Sequence, residues 1–391
     1  MVGCTLVRDL DANDLYAGIP GRDTGHFSDA IPAVLADAEA VGANGRELLT
    51  AIVAVYELQA ALADAYLWMH RGLHSVSQVA WALPAVLGRL RRMPRDRVVS
   101  AIGTAGTMTG LILQSWLGTG DITEIKAIST GLAAAGAVRA ADLAEKGLSA
   151  PPNALETLFR RLPSDGRTER FSYLTGCVPT AVERMIFKRY PAQIYVQAAI
   201  EAAIAARHHL NLNGPEDIEC INLWGHSQVA AGVQGGPEAF RPTTRESADH
   251  STPFAVAVAV RDGDLSAASY HGEPWTDPGI VRLMDRTALT VDPAFDRELN
   301  ERGRLGCRLI MQTVDGREAT AVVTQQHGHP DRPLNTEQFQ AKAASLVDPE
   351  LGDGAAGQLW EVVEYLPNLR SIKPLVSACV PSRRGTRRGG R

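Results

Sequence analysis

Hydrophobic residues in the first half of the chain recur at helical spacing. The segment Asn44-Gly45-Arg46-Glu47 has the form of a capping box, and apolar residues follow it every three or four positions. This pattern predicts a long amphipathic helix over residues 44–69. Similar spacing predicts three more helices, over residues 76–90, 95–113 and 128–146. Glycines inside the last two helices have no strand before them, so they favour close helix packing over a phosphate-binding loop.

The pattern changes after residue 180. Residues 149–180 are rich in proline, glycine and charge, and are predicted to bridge two domains. The elements predicted next are a helix over 191–210, a strand over 217–224, and a hairpin of 307–313 with 318–325 that turns at Asp315-Gly316. Helical spacing returns at 337–346 and 358–365. The fold class predicted is therefore mainly α: an all-helical domain of residues 1–180 and 336–380, with a smaller α+β lid domain of residues 181–335 inserted.

The charge distribution argues against nucleic acid as a partner. The chain of 391 residues has a net charge of −5, yet its last eleven residues, Pro381 to Arg391, contain five arginines and no acid. The rest of the chain therefore has a charge of about −10, too acidic for a broad basic face. The Arg/Gly tail, residues 381–391, is predicted to be a disordered, solvated end.

The cysteines and the apolar runs favour a cytoplasmic protein. Five cysteines lie at positions 4, 177, 220, 307 and 379, and none forms a C-x-x-C pair, which argues against zinc ribbons and iron–sulfur sites. Scattered thiols in odd number fit a reducing compartment. The first residues lack an apolar signal core, and no uncharged apolar run is long enough to span a bilayer, so no membrane association is expected.

His26 is the first candidate for chemistry. It lies in a polar, turn-rich stretch that runs directly into apolar residues from Ile31 onward, which places its imidazole at a predicted helix N-terminus. Helix N-termini bind anions through unpaired N–H groups, so a carboxylate substrate fits there. The alternative is a histidine that only caps its helix.

Several ordered blocks give the chain a family resemblance. These blocks are Leu10-Asp11-Ala12-Asn13-Asp14 with Gly25-His26-Phe27-Ser28-Asp29-Ala30-Ile31-Pro32, then residues 71–76, 187–192 and 241–263. In that order they resemble the MmgE/PrpD family of 2-methylcitrate dehydratases and cis-aconitate decarboxylases. The resemblance implies the helical domain and lid described above, a homodimer, and an active site between the domains that uses no metal and no organic cofactor.

The resemblance also implies the site residues. The family positions fall on Asp11, His26, His74, Lys126 and Lys188, although some members place the third residue one position later, where this chain has Ser75. The implied substrate is a small-molecule carboxylate that loses water or CO₂ through a carbanion. The lysines would bind substrate carboxylates, a histidine near its ordinary pKa would exchange the proton, and His26 and His74 would share one pocket. Without the family, the lysines could be surface charges, His74 a core histidine and Asp11 a turn residue.

Three positions depart from the family pattern. Leu15 replaces a threonine, Gln193 a second histidine and Phe254 a tyrosine. Gln193 and Phe254 are the positions expected to bind substrate. The chain also begins close to the first block, before which relatives have several helices. These departures leave open a shortened or divergent member, either repurposed for a specialised substrate or non-catalytic.

A serine hydrolase is the alternative from another enzyme class. Gly225-His226-Ser227-Gln228-Val229 follows a predicted strand and nearly matches the nucleophile elbow G-x-S-x-G. The tight elbow turn needs a very small fifth residue, and Val229 is β-branched. The helical first half also lacks the alternating strands of that fold.

Overall fold

A computed structural model describes residues 1–114, 121–161, 171, 174, 176, 178–212 and 214–381 of the chain. The α-helices are α1 Val2–Asp9, α2 Ile31–Ala40, α3 Gly45–Ala65, α4 Ser77–Leu90, α5 Arg95–Thr109, α6 Ile125–Glu145, α7 Ala154–Arg161, α8 Gln197–Leu210, α9 Ser227–Ala230, α10 Gly232–Gly235, α11 Arg245–Ala248, α12 Thr252–Asp262, α13 Pro278–Asp285, α14 Pro293–Arg302, α15 Thr336–Leu351, α16 Ala355–Tyr365 and α17 Lys373–Ala378. The strands are β1 Asp14–Tyr16, β2 Met185–Phe187, β3 Ile218–Gly225, β4 Thr287–Val291, β5 Cys307–Thr313 and β6 Glu318–Val323. The predicted mainly α fold class is confirmed.

Helix α3 forms where its capping box predicts. The Asn44 side chain accepts a hydrogen bond of 3.0 Å from the Glu47 backbone N–H, and the Glu47 carboxylate accepts one of 3.0 Å from the Asn44 N–H. The helix ends at Ala65, four residues before the predicted end, because Tyr66 is extended with φ −142° and ψ 139°. A window of α3 is apolar and long enough to cross a membrane, but 67% of it is buried inside the protein, as in a core helix.

Other helices differ from the prediction in their limits: α5 ends at Thr109 instead of residue 113, and α8 begins at Gln197 instead of residue 191. Helix α6 begins at Ile125, three residues early, which puts the buried Lys126 in its first turn. Helix α7 lies inside the predicted bridge, because Leu158 and Phe159 give that segment a buried face. Most of the rest of the bridge, and the Arg/Gly tail beyond Pro381, lie outside the described residues.

Residues 218–323 contain a four-stranded sheet of order β4-β3-β5-β6. Strands β5 and β6 form the predicted antiparallel hairpin, and Gly316 supplies the positive φ of +87° that its turn requires. Strand β4, which pairs parallel with β3, was not predicted. Nor was α12, because residues 254–260 are all fully buried and show no polar face to reveal a helical period.

Apolar contacts divide the described residues into two large cores. One core joins α1 to α7 with Leu366, Ile372 and Leu375 from the end of the chain, and the other extends from Tyr190 to Val323. This division supports the discontinuous helical domain, whose exact limits stay a prediction. Strands β1 and β2 pair antiparallel between the cores, with Asp14 opposite Phe187. This two-stranded ribbon brings the Asp11 block beside Lys188.

Candidate active site

One cavity of about 470 Å³ lies between the two cores. Its wall includes Asp11, His26, His74, Lys126 and Lys188, so the structure brings all five predicted catalytic positions to one place. Arg8 and His250 also line it. The expectation that the two histidines share a pocket agrees with this placement.

Asp11 is the centre of the cavity's ionic cluster. It follows α1 in a left-handed conformation, φ +48°, which aspartate tolerates better than most residues, and only 2% of it is exposed. The Lys188 ammonium donates to the Asp11 carboxylate at 2.6 Å, to the Asp11 carbonyl at 3.0 Å and to the Asn13 side chain at 3.1 Å. Three acceptors match the three protons of an ammonium, so Lys188 is fully engaged by the protein.

Lys126 is also paired with a buried carboxylate. Its ammonium donates to both carboxylate oxygens of Asp249, at 2.9 and 3.1 Å, and lies 3.4 Å from Asp11. Both lysines are 1% exposed. Although burial opposes it, Lys126 and Lys188 hold the pKa of Asp11 well below its usual value. Two lysines and two aspartates therefore pair with one another in one cluster, and the expectation that the lysines bind substrate carboxylates stays a prediction.

His26 has its orientation set by the backbone. Its Nδ1 hydrogen bonds to the carbonyl oxygen of Asp14, the first residue of β1. A carbonyl only accepts, so Nδ1 bears the proton and the Nε2 lone pair is available as a base. Burial, reinforced by Arg8 and Lys188, lowers the pKa of His26 well below its ordinary value, so the ring is neutral at pH 7. His26 is the N-cap residue of the short helical turn that begins at Phe27, but its side chain makes no capping hydrogen bond.

His74 has the opposite tautomer. Its Nδ1 accepts a 3.2 Å hydrogen bond from the Val76 backbone N–H, which places the ring proton on Nε2. That Nε2 lies 3.4 Å from Nη2 of Arg8. Burial and the nearby Arg8 and Lys126 lower the pKa of His74 well below its ordinary value. The two histidines are thus a base and a donor, and neither titrates near pH 6.5 as the sequence led us to expect.

Asp29 is a buried carboxyl group behind Arg8. It receives hydrogen bonds from Asn13 at 3.1 Å and Thr130 at 3.2 Å, and its nearest contact with Arg8 is 3.4 Å. Burial outweighs these contacts and raises the pKa of Asp29 to about 6. The carboxyl group therefore destabilises the folded protein once it ionises.

The Asp29→Asn variant is expected to reveal this cost as a pH dependence. Between the unfolded pKa near 4 and the folded value, the folded protein holds a proton that the unfolded chain has lost, so wild-type stability falls as pH rises through this window. The variant lacks that proton, so its unfolding free energy relative to wild type should rise by about 2–3 kcal/mol from pH 4 to pH 7. Urea unfolding of both proteins across this range measures the difference. A difference independent of pH would show that Asp29 is already ionised in acid.

Sequence reasoning missed Arg8, Asp29, Asp249 and His250. His250 lines the cavity beside Asp249, and its Nδ1 contacts both the Asp249 carboxylate and the Glu246 carbonyl. Asp249 and His250 lie within the block that carried the family resemblance, which was a usable signal. Arg8 lies three residues before Asp11 on α1, a helix that the sequence analysis left unassigned.

The three positions that differ from the family pattern have different environments. Leu15 and Gln193 line the cavity, and the Gln193 side-chain oxygen accepts a hydrogen bond of 2.6 Å from the Tyr195 backbone N–H. Phe254 does not line it. Its ring is fully buried in the second core against Tyr270 and Trp275, because it lies on α12, which is apolar on every side. The expected substrate contact at Phe254 is therefore corrected to a packing role.

The arrangement around Ser227 does not support a hydrolase. Its hydroxyl donates to the Asp296 carboxylate at 2.9 Å, and its backbone N–H donates to the same oxygen at 2.8 Å. His226 instead accepts from the Val229 N–H and caps α9. Within the described residues, no histidine contacts the Ser227 hydroxyl to act as its base.

Asp11, Asp249 and His250 bring their ligand atoms within 4.8 Å of one another, as metal ligands do. The Lys126 and Lys188 ammonium groups already occupy the space around these carboxylates, at 2.9 and 2.6 Å. A divalent cation there would face two positive charges. We therefore interpret the two aspartates as partners of the lysines.

Comparison with known proteins places most of the chain in one family. The MmgE/PrpD N-terminal domain model matches residues 1–164, and the C-terminal domain model matches residues 190–367. The chain is 27% identical over 363 residues to a 2-methylcitrate dehydratase of Salmonella typhimurium, covering 87% of this chain and 73% of that protein. It is 27% identical over 369 residues to the enzyme of the same name from Cupriavidus necator, covering 88% and 74%. A cis-aconitate decarboxylase of Mus musculus is 26% identical over 198 residues, covering 48% of this chain and 38% of that protein.

Proposed function

Since this chain belongs to the MmgE/PrpD family, we propose that it is a cofactor-independent lyase that removes water or CO₂ from a small polycarboxylate or related acid. The observation that carries the proposal is the neutral His26, fixed by the Asp14 carbonyl at a cavity lined by cationic side chains. A base beside bound carboxylates suits proton abstraction next to a carboxylate. The relatives named as dehydratases and a decarboxylase support the same class of chemistry.

In the dehydration route, His26 Nε2 removes a proton from the carbon beside a substrate carboxylate. Negative charge develops on that carboxylate and is stabilised by N–H donors fixed in the cavity wall. The hydroxyl on the neighbouring carbon leaves as water with the proton that His26 Nε2 has taken up, which returns His26 to its neutral form. In the decarboxylation route, loss of CO₂ generates the same kind of carbanion, and an acid in the cavity protonates it.

The direct experiment incubates the purified protein separately with 2-methylcitrate, citrate and cis-aconitate. A new double bond, followed by its ultraviolet absorbance, reports dehydration, and released CO₂ reports decarboxylation. A protein that binds these acids but turns over none of them would support the repurposed or non-catalytic alternative, for which the changes at Leu15 and Gln193 are the observations in favour.

Treatment with a metal chelator is expected to leave the turnover rate unchanged. The reason is the filling of the Asp11–Asp249 cluster by two ammonium groups, which supply its positive charge. Dialysis against EDTA followed by the absorbance assay measures the effect, with a known zinc hydrolase as the positive control. Inactivation that added zinc or iron reverses would overturn the cofactor-free proposal.

The homodimer and the cytoplasmic location implied by the family resemblance stay predictions. Light scattering on the purified protein tests the first. Fractionation of cells that express it tests the second.

A further inference from the structure

Arg8 is a buried cation whose positive charge is only weakly balanced by nearby carboxylates. Only 5% of it is exposed, and the nearest carboxylate, that of Asp29, is 3.4 Å away, where a charge-assisted hydrogen bond is normally about 2.7–2.9 Å. Its Nε is buried and has no hydrogen-bond partner among the described residues. Asp29 is also shared with Asn13 and Thr130. A guanidinium has five N–H donors, so Arg8 keeps unused capacity toward the cavity.

The contact between Arg8 and His74 places two donors side by side. Because His74 Nδ1 accepts from Val76, its Nε2 carries a proton, and this N–H lies 3.4 Å from Nη2 of Arg8. Two donors do not bond to each other, but they can bond to one acceptor between them. A carboxylate oxygen provides such an acceptor, and the planar guanidinium matches carboxylate geometry.

The two lysines cannot bind a substrate carboxylate without first breaking their ion pairs with acidic residues of the protein. Lys188 has three acceptors within 3.1 Å, and Lys126 has both oxygens of Asp249 within 3.1 Å. Their charges are balanced by Asp11 and Asp249. Of the three cations Arg8, Lys126 and Lys188, only Arg8 is left without a close acid.

We propose that Arg8, together with His74, is the receptor for a substrate carboxylate, and that Lys126 and Lys188 are positioning residues. This inference rests on the proposed polycarboxylate substrate and names the group that binds it. The Arg8 guanidinium binds the carboxylate, and His26 removes the proton from the adjoining carbon. Arg8 is then also the main balance for the charge that develops on that carboxylate.

The test uses tricarballylate, a tricarboxylate without a hydroxyl group, as an unreactive probe. Its dissociation constant is measured by calorimetry for wild type, Arg8→Met, Arg8→Lys and the control Arg139→Met, which removes an exposed arginine from α6. Arg8→Met is expected to bind about tenfold to a hundredfold more weakly, the usual effect of losing a hydrogen bond to a charged group. Arg8→Lys should fall between, and Arg139→Met should match wild type. A crystal structure of the wild-type complex should place a probe carboxylate within hydrogen-bond distance of Arg8.

The outcomes separate this inference from the proposed function. If wild type binds the probe and Arg8→Met, shown to be folded by its circular dichroism, binds equally well, Arg8 is not the receptor but the substrate class stands. A crystal structure in which only the lysines contact the probe carboxylates would lead to the same conclusion. If wild type binds neither this probe nor the citrate-like acids, the proposed substrate class fails and the inference fails with it.

Discussion

His26→Gln is expected to lower the turnover number by about 10²–10⁴, the usual scale for the loss of a general base. Glutamine retains polarity and a donor that can reach the Asp14 carbonyl, so the cavity should keep its shape. It has no basic nitrogen, so the proton next to the carboxylate stays in place. The absorbance assay for the new double bond measures the loss, and tricarballylate binding should change little.

The pH profile gives an independent check of His26. Because burial lowers its pKa well below the ordinary value, kcat/KM of wild type should be flat through neutrality and fall only in acid, as His26 takes up a proton. The variant should lose this acid limb. His209→Gln, which changes an exposed histidine on α8, is the control and should match wild type. Full turnover by His26→Gln would assign the base elsewhere, with His250 the next residue to test.

Lys188→Met is expected to lower the unfolding free energy by about 3 kcal/mol, the lower end of the range for breaking a buried ion pair. The substitution removes the 2.6 Å partner of Asp11, which is itself buried and would keep only Lys126 at 3.4 Å. Turnover of the folded fraction should also fall, because Asp11 loses the ion pair that holds it in position in the site. The three acceptors around Lys188 are the reason for expecting a loss of stability as well as a loss of turnover.

A double variant separates loss of charge from loss of packing. In Asp11→Asn with Lys188→Met both charges are gone, so a large part of the stability should return while activity stays low. Lys146→Met, an exposed lysine just after α6, should change stability by at most about 0.5 kcal/mol. Chemical unfolding in urea measures all four proteins. An unfolding free energy of Lys188→Met equal to that of wild type would falsify the ionic cluster as a source of stability.

The fold could be predicted from sequence where a pattern is local. The capping box at Asn44 and the turn at Gly316 are set by neighbouring residues, and both elements form as expected. Helix α12 could not be found because burial on every side removes the polar face that marks a helical period. Strand β4 is short and takes its place from pairing with β3, a contact between residues more than sixty positions apart in the chain.

The positions of the site residues could be predicted from sequence, but their ion pairs and tautomers could not. Family blocks identified Asp11, His26 and Lys188, which the structure places in one cavity. What each residue does depends on partners far along the chain, such as Asp249 for Lys126 and Val76 for the tautomer of His74. Pairing of this kind gives Lys126 and Lys188 close aspartate partners, and leaves Arg8 as the less compensated cation.

The ribbon of β1 and β2 also restricts how the two cores can move relative to each other. His26 is bonded to Asp14 on one strand, and Lys188 directly follows the other, so both move with the ribbon. A rotation of the lid that preserves this pairing keeps the base and Lys188 at a fixed separation. Such a rotation would lengthen contacts on the other side of the cavity, among them the ion pair of Lys126 with Asp249 and the hydrogen bond from the Ile122 N–H to Ser247. Because this ion pair is almost completely buried, added salt screens it little, and the rate of ligand association should depend on salt mainly through the attraction of an anion to the cavity.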